Sequence, residues 1–173
     1  YKVLNYPHDE SSPANSESAF EFIERNTKEK SLSAFAYLQE NEMQILPILT
    51  ADTLVSLDDR IFGKPDNKDH AISMLLELSG QYHSVISCVA IGVLDKTKSD
   101  TVNFNIDIVE TKVLFKTLTA YECKKYWETK EPIDKAGSYG IQGIGETFVE
   151  QITGSHSNVV GLPIFVICYI LDN

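Results

Sequence analysis

The run Tyr82-His83-Ser84-Val85-Ile86-Ser87-Cys88-Val89-Ala90-Ile91-Gly92-Val93-Leu94 decides the fold class of this chain. It is mostly apolar and rich in β-branched residues, and it reads as a long strand. Polar residues 95–100 separate it from a second strand-like stretch, 102–115. There Ile106 and Ile108, then Val113 and Phe115, alternate with polar neighbours in a half-buried pattern.

Helical and extended segments alternate outward from this pair. Residues 17–40 place Phe20, Ile23, Leu32, Phe35, Ala36 and Leu38 near the 3.6-residue repeat and predict a helix. Residues 44–57 are apolar and β-branched apart from Asp52 and its neighbours. They predict a buried strand running into a short second one, with a hairpin turn and return over 59–63. Asp66 suits the N-cap of a helix that carries Ala71, Met74, Leu75 and Leu78 and stops at Gly80. Thr119 can cap a helix through Tyr126 and Trp127. Residues 146–152 read as a short helix or strand, and the form of 159–171 is open by periodicity. With no repeat, low-complexity linker or domain boundary in view, the pattern predicts one α/β domain.

The chain has 173 residues, enough for a substantial core. Its formal net charge is −10, without a long basic run, which argues against nucleic acid or an anionic membrane as partner. A local cationic pocket, usually with a divalent ion, still allows an acidic protein to bind a nucleoside triphosphate. Cys88, Cys123 and Cys168 lie far apart, so reduced thiols in the cytoplasm are expected. Cys88 and Cys168 sit in apolar runs and are expected to be buried and inert. The apolar run 159–171 is too short to span a bilayer, and no signal peptide is read. The chain starts at Tyr1 without methionine, as a fragment would.

Several residues stand out chemically. Residues 135–145, Lys135-Ala136-Gly137-Ser138-Tyr139-Gly140-Ile141-Gln142-Gly143-Ile144-Gly145, hold four glycines, a cation and an amide. Such a loop either approaches a nucleotide closely, with Lys135 on an anion and Gln142 on a flat polar group, or makes two linked turns beside a sheet. Asp52 interrupts an apolar run. At a strand end it is either a capped turn residue or a functional acid or base. Gly63-Lys64-Pro65 presents an ammonium from a stiffened backbone, for a phosphate or for solvent. Lys30, among Glu24, Lys28 and Glu29, reads as part of a solvated helix face. Asp9 and Glu10 read as solvated loop acids. His83 reads as a hydrogen-bonded structural histidine, and Asn158 as bonding local backbone. His8, His70 and His156 have no metal-ligand spacing, and there is no nucleophile elbow or Walker loop.

In order, these pieces resemble the Maf family of nucleotide pyrophosphatases. The resemblance is carried by Thr50-Ala51-Asp52-Thr53-Leu54-Val55, Gly63-Lys64-Pro65, and Leu78-Ser79-Gly80 with His83 and Val85. It continues through Glu110-Thr111, Glu131-Pro132, Asp134-Lys135-Ala136-Gly137, Tyr139-Gly140-Ile141-Gln142-Gly143 and Ser157-Asn158-Val159-Val160-Gly161-Leu162-Pro163.

The resemblance implies a cytoplasmic enzyme that cleaves a nucleoside triphosphate to monophosphate and pyrophosphate. It implies a single domain over 1–173 with a mixed, twisted sheet and flanking helices. The fold is two-lobed, related to the inosine triphosphatase type and often homodimeric. By motif, Asp52 would be the general base or metal-associated carboxylate, and Glu10 would help hold a divalent ion, Mg²⁺ or Mn²⁺. Lys30 and Lys64 would bind phosphates, and Thr53 and Gln142 would set base selectivity. Tyr139-Gly140-Ile141-Gln142-Gly143 resembles the branch acting on dTTP and UTP rather than the one preferring methylated guanosine triphosphate. The family's opening Ser-x-Ser-Pro-Arg-Arg motif has no match before Asp9, and the expectation is that it belongs to a segment missing here. The alternative is a nucleotide-binding regulator of cell division or septum formation that does not turn substrate over.

Overall fold

Strands β3 (Tyr82–Asp95) and β4 (Thr101–Phe115) pair antiparallel along their whole length, from Tyr82↔Leu114 to Asp95↔Thr101. The computed structural model describes residues 1–8, 11–95, 97 and 101–172. Strand β1 (Ile48–Leu57) joins the other edge of β3, with Asp52 opposite Cys88. The short β2 (Arg60–Phe62) returns along the end of β1, and β5 (Val149–Thr153) pairs with β4. The order is β2-β1-β3-β4-β5, antiparallel at every pairing. Helices flank this sheet, as the alternation of segments predicts.

The β1–β2 hairpin turns at Asp58 and Asp59, with φ 48° and 64°. Two successive positive φ values give a turn whose twist matches the strands it joins. Strand β1 is one continuous strand rather than two. It starts at Ile48, directly after Pro47, which has no N–H to give a ladder. Strand β2 covers only 55–57 of β1, so among the described residues no strand lies along the outer edge of 48–54.

Alternation divides the sheet into two faces. Helix α1 (Ala19–Glu40) covers one, its Phe22 and Ile23 packing with Leu54, Ile86 and Cys88. Helices α2 (Lys68–Leu78) and α3 (Ala120–Glu128) share the main core on the other face, where Leu75, Leu78 and Tyr126 meet Val55, Val85, Val113 and Phe115. Leu75 and Leu78 have no exposed surface. Truncating either to alanine should cost about 2–5 kcal/mol.

Caps set the helix starts. Ser18 and Glu21 form a capping box on α1, and Thr119 and Glu122 do so on α3. Helix α2 is capped by Asn67 rather than Asp66. Asn67 has the extended backbone and accepts from the His70 amide, while Asp66 contacts the His70 ring at 2.9 Å.

The ambiguous segments resolve as mixtures. A 3₁₀ turn (Ile144–Phe148) leads into β5, and the closing run forms two short helices, α4 (His156–Val160) and α5 (Ile164–Asp172). Helix α5 buries Ile167 and Ile170 against Val89. Cys168 falls on its outer side and is exposed, contrary to the burial its apolar neighbours predict. Cys88 is buried, and desolvation pushes its thiol up to about 11. No helix among the described residues is long and apolar enough to cross a membrane.

Candidate active site

The open stretch of the β1 edge borders a cleft of about 520 Å³. Asp52 stands at its side, the fifth of ten residues in β1 and not at a strand end. Its side chain points to the α1 face, where the ammonium of Lys30 donates to Oδ1 at 2.6 Å and the amide of Asn26 donates to Oδ2. Asp52 and Lys30 are each about one-fifth exposed, so the pair is partly desolvated. The carboxylate is therefore neither a turn cap nor solvated, and Lys30 is not a free surface lysine. A half-buried charge on a strand needs such partners.

Asn26 belongs to no motif, yet it is buried and bonded to Asp52. The signal was present in the helical repeat. Asn26, Thr27 and Lys30 follow Ile23 at three, four and seven residues, on the face an amphipathic helix turns inward. Behind Asn26, Ser11 donates to its carbonyl at 3.2 Å and also to Glu29. Arg25 clamps Glu29 at 3.0 Å and Glu17 at 2.8 Å. The Ser11 and Arg25 hydrogen bonds hold Glu29 below the ordinary carboxylate range.

Thr53 projects to the opposite face. Its hydroxyl shares a hydrogen bond of 2.7 Å with Ser87 and donates to the Gly161 carbonyl at 3.3 Å, so it ties β1 to the end of α4. Asn158 anchors the same helix. It bonds distant groups and not its local backbone, its amide donating to the Val85 carbonyl at 2.9 Å and to the Thr111 hydroxyl at 3.0 Å. Full burial explains the difference, because the amide N–H groups must find acceptors on the sheet they rest on.

Lys64 and Lys135 line the same cleft as Asp52 and Thr53, beside Asp134. Lys135 donates to Asp134 at 2.8 Å, and this bond, with weaker help from the Lys64 charge, holds Asp134 below the usual range. The turn carrying Lys64 is fixed to the glycine loop, since the Gly137 amide donates to the Gly63 carbonyl at 3.1 Å. Gly137 has φ 66°, and a Cβ there would press on Val55 at 2.9 Å. Only glycine fits that junction without strain.

Gln142 lines an adjoining cleft of about 350 Å³ that shares Lys135, Tyr139, Val159 and Val160 with the first. The glycine loop is thus a pair of linked turns that also walls a cavity. Beneath it lies Glu131, whose contacts with the loop no local sequence pattern signals. Burial pushes Glu131 up, but bonds from the Tyr126 hydroxyl (2.7 Å) and the amides of Gly145 (3.1 Å) and Ile144 (2.8 Å) outweigh it, and it sits below the ordinary range. His83 is structural as expected. It is buried, its Nε2 lies 2.8 Å from the Tyr139 hydroxyl, and burial lowers it to about 4.

The structure therefore brings Asp52, Thr53 and Lys64 to one cleft and Gln142 to its neighbour, while Lys30 does not line the cleft and meets it only through its bond to Asp52. Glu10 lies outside the described residues. Among the described residues no cluster of three or more His, Cys, Asp or Glu could hold a metal ion. The arrangement can take a polyanion between Lys64 and Lys135, with a carboxylate fixed nearby to orient water.

The chain is similar to known proteins over most of its length. The chain is 41% identical over 157 residues to the dTTP/UTP pyrophosphatase of Colwellia psychrerythraea, covering 91% of this chain and 71% of the relative. It is 42% identical over 164 residues to the dTTP/UTP pyrophosphatase of Clostridium botulinum strain Alaska E43, covering 95% and 82%. A third protein of that name, from Aliivibrio fischeri, is 40% identical over 86% of this chain and 74% of its own. The family model described as Maf-like protein matches residues 1–173, and the chain belongs to that family.

Proposed function

We propose that this protein hydrolyses dTTP and UTP to the monophosphate and pyrophosphate. Water attacks the α-phosphorus, the bond to the oxygen bridging toward the β-phosphorus breaks, and pyrophosphate leaves. The observation that carries the reading is Asp52, held by Lys30 and Asn26 at the mouth of a cleft with Lys64 and Lys135 on its wall. The names of the relatives support the same substrates.

In this reading Asp52 orients the attacking water and accepts its proton. Asn26 and Lys30 fix the direction of the carboxylate. Lys30 has three donors, so it can bond Asp52 and still reach a phosphate oxygen. Lys64 takes the phosphates from the other side, and Gln142 pairs with the edge of the pyrimidine. Asp52 also suits a divalent ion of the Mg²⁺ type, which takes one or two protein carboxylates and fills its shell with water and substrate phosphates. When bound, that ion would neutralise charge developing on the departing pyrophosphate. A cytoplasmic setting, where nucleoside triphosphates are held, fits the activity.

The test is pyrophosphate release from dTTP, UTP, CTP and methylated GTP, with Mg²⁺ and with a chelator, by the wild type and Asp52→Asn. Selective, metal-dependent turnover of dTTP and UTP that Asp52→Asn abolishes is expected. Equal turnover of all four triphosphates, or full activity in Asp52→Asn, would overturn the assignment.

A further inference from the structure

The glycine loop is held at two points. On one side the Gly140 amide donates to the Tyr126 hydroxyl at 3.0 Å. On the other, the Ile144 and Gly145 amides donate to the two carboxylate oxygens of Glu131 at 2.8 and 3.1 Å. Tyr126 in turn donates to Glu131 at 2.7 Å, so both points rest on one carboxylate. Between them lie Ile141, Gln142 and Gly143. Ile141 is buried at 4% exposure, while Gln142 is exposed at the second cleft.

The space under the loop is closed to larger residues. A Cβ on Gly143 would overlap the Glu131 carboxylate, and one on Gly145 would fall 2.6 Å from both the Gly140 carbonyl and the Tyr126 hydroxyl. The loop therefore has its glycines because it must lie flat on Glu131 and Tyr126. A neutral acceptor or water under the loop would serve the Ile144 and Gly145 amides less well than a carboxylate, because hydrogen bonds to a charged group are roughly twice as strong.

We propose that Glu131, through Tyr126, is the positioning residue that sets the selectivity loop and presents Gln142 to the nucleobase. This rests on reading the second cleft as the subsite for a pyrimidine base. Glu131 acts on backbone amides and not on the reacting phosphate, so its loss should weaken recognition of the base and spare the chemical step. The clamp belongs to recognition, in the sense that a correctly placed amide distinguishes ligands by the groups it would otherwise leave unpaired.

The experiment compares Glu131→Gln and Tyr126→Phe with the wild type in the full chain. Steady-state pyrophosphate release gives kcat and KM for UTP and GTP, and calorimetry gives the affinities for UMP and GMP without turnover. Thermal unfolding shows that each variant is folded. In Glu131→Gln, we expect KM for UTP and the Kd for UMP to rise about tenfold, with the preference for UTP over GTP falling by a similar factor. We expect kcat to stay within about threefold and Tyr126→Phe to move the same quantities less far. If Glu131→Gln does not fold, Tyr126→Phe decides. Unchanged UMP affinity and UTP preference in a folded variant, or a fall in kcat with KM constant, would overturn the proposal. If the wild type binds UMP but releases no pyrophosphate, the hydrolytic reading fails, and the UMP and GMP affinities alone judge the clamp.

Discussion

Replacing Asn158 with alanine removes the side chain that fastens α4 to the sheet. In the native protein that amide is fully buried and donates at 2.9 Å to the Val85 carbonyl and at 3.0 Å to the Thr111 hydroxyl. Each bond contributes about 0.5–1.5 kcal/mol net, and an acceptor stranded in the interior costs about 1–3 kcal/mol. Two lost bonds, a Val85 carbonyl with a partner fewer and the cavity left by the side chain outweigh the relief of removing the buried Oδ1, which has no partner, and bring the destabilisation to about 3 kcal/mol. With a urea m-value of about 2 kcal/mol per molar, the unfolding midpoint falls by about 1.5 M. The change should reach the site as well, because Val159 and Val160 line both clefts and Gly161 accepts from Thr53. The assay is urea unfolding followed by circular dichroism, paired with KM for UTP. A midpoint within about 0.3 M of wild type at an unchanged m-value would refute the reasoning, since the α4 anchor would then lie elsewhere.

Other perturbations test separate parts of the account. Lys30→Met removes the ammonium 2.6 Å from Asp52, and kcat/KM for UTP should fall about a hundredfold. A loss below about threefold would make the ion pair incidental to catalysis. His83 is neutral when folded because burial lowers it from 6.5 to about 4. Between those pH values the unfolded chain binds the extra proton and the folded one does not. Stability should therefore fall by up to about 3 kcal/mol as pH drops through that window, and His83→Phe should flatten the slope in acid-titrated urea melts. In Gly137→Ala a Cβ would meet Val55 at 2.9 Å on a backbone at φ 66°, and unfolding experiments should register a loss of about 1–3 kcal/mol.

Much of the sheet was legible because its long strands carry their own pattern. Residues 82–94 and 102–115 needed only β-branched content and alternation to be read, and they became β3 and β4. Thr119 was readable as a cap for the same local reason. The start of α2 was not, because Asp66 and Asn67 are both good caps and only the extended backbone at Asn67 decides between them. Cys168 shows the limit of reading apolar runs. A short helix buries one side, and composition does not tell which residues face out.

The site divides the same way. Asp52 and Lys64 could be marked from sequence because a charge in an apolar run and a lysine before proline are local features. Their partners could not, since Asn26 and Lys30 reach Asp52 across 26 and 22 residues of chain, and the Asn158 amide crosses 73 to reach Val85. Glu131 was visible only as part of a motif. Its work is done on backbone amides 13 and 14 residues on, a relation that no side-chain pattern encodes.

The most direct test of the central claim is hydrolysis of UTP in ¹⁸O-labelled water, with the label located by mass spectrometry. Attack at the α-phosphorus predicts one labelled oxygen in UMP and none in pyrophosphate. Labelled orthophosphate with UDP, or label in pyrophosphate, would contradict the account.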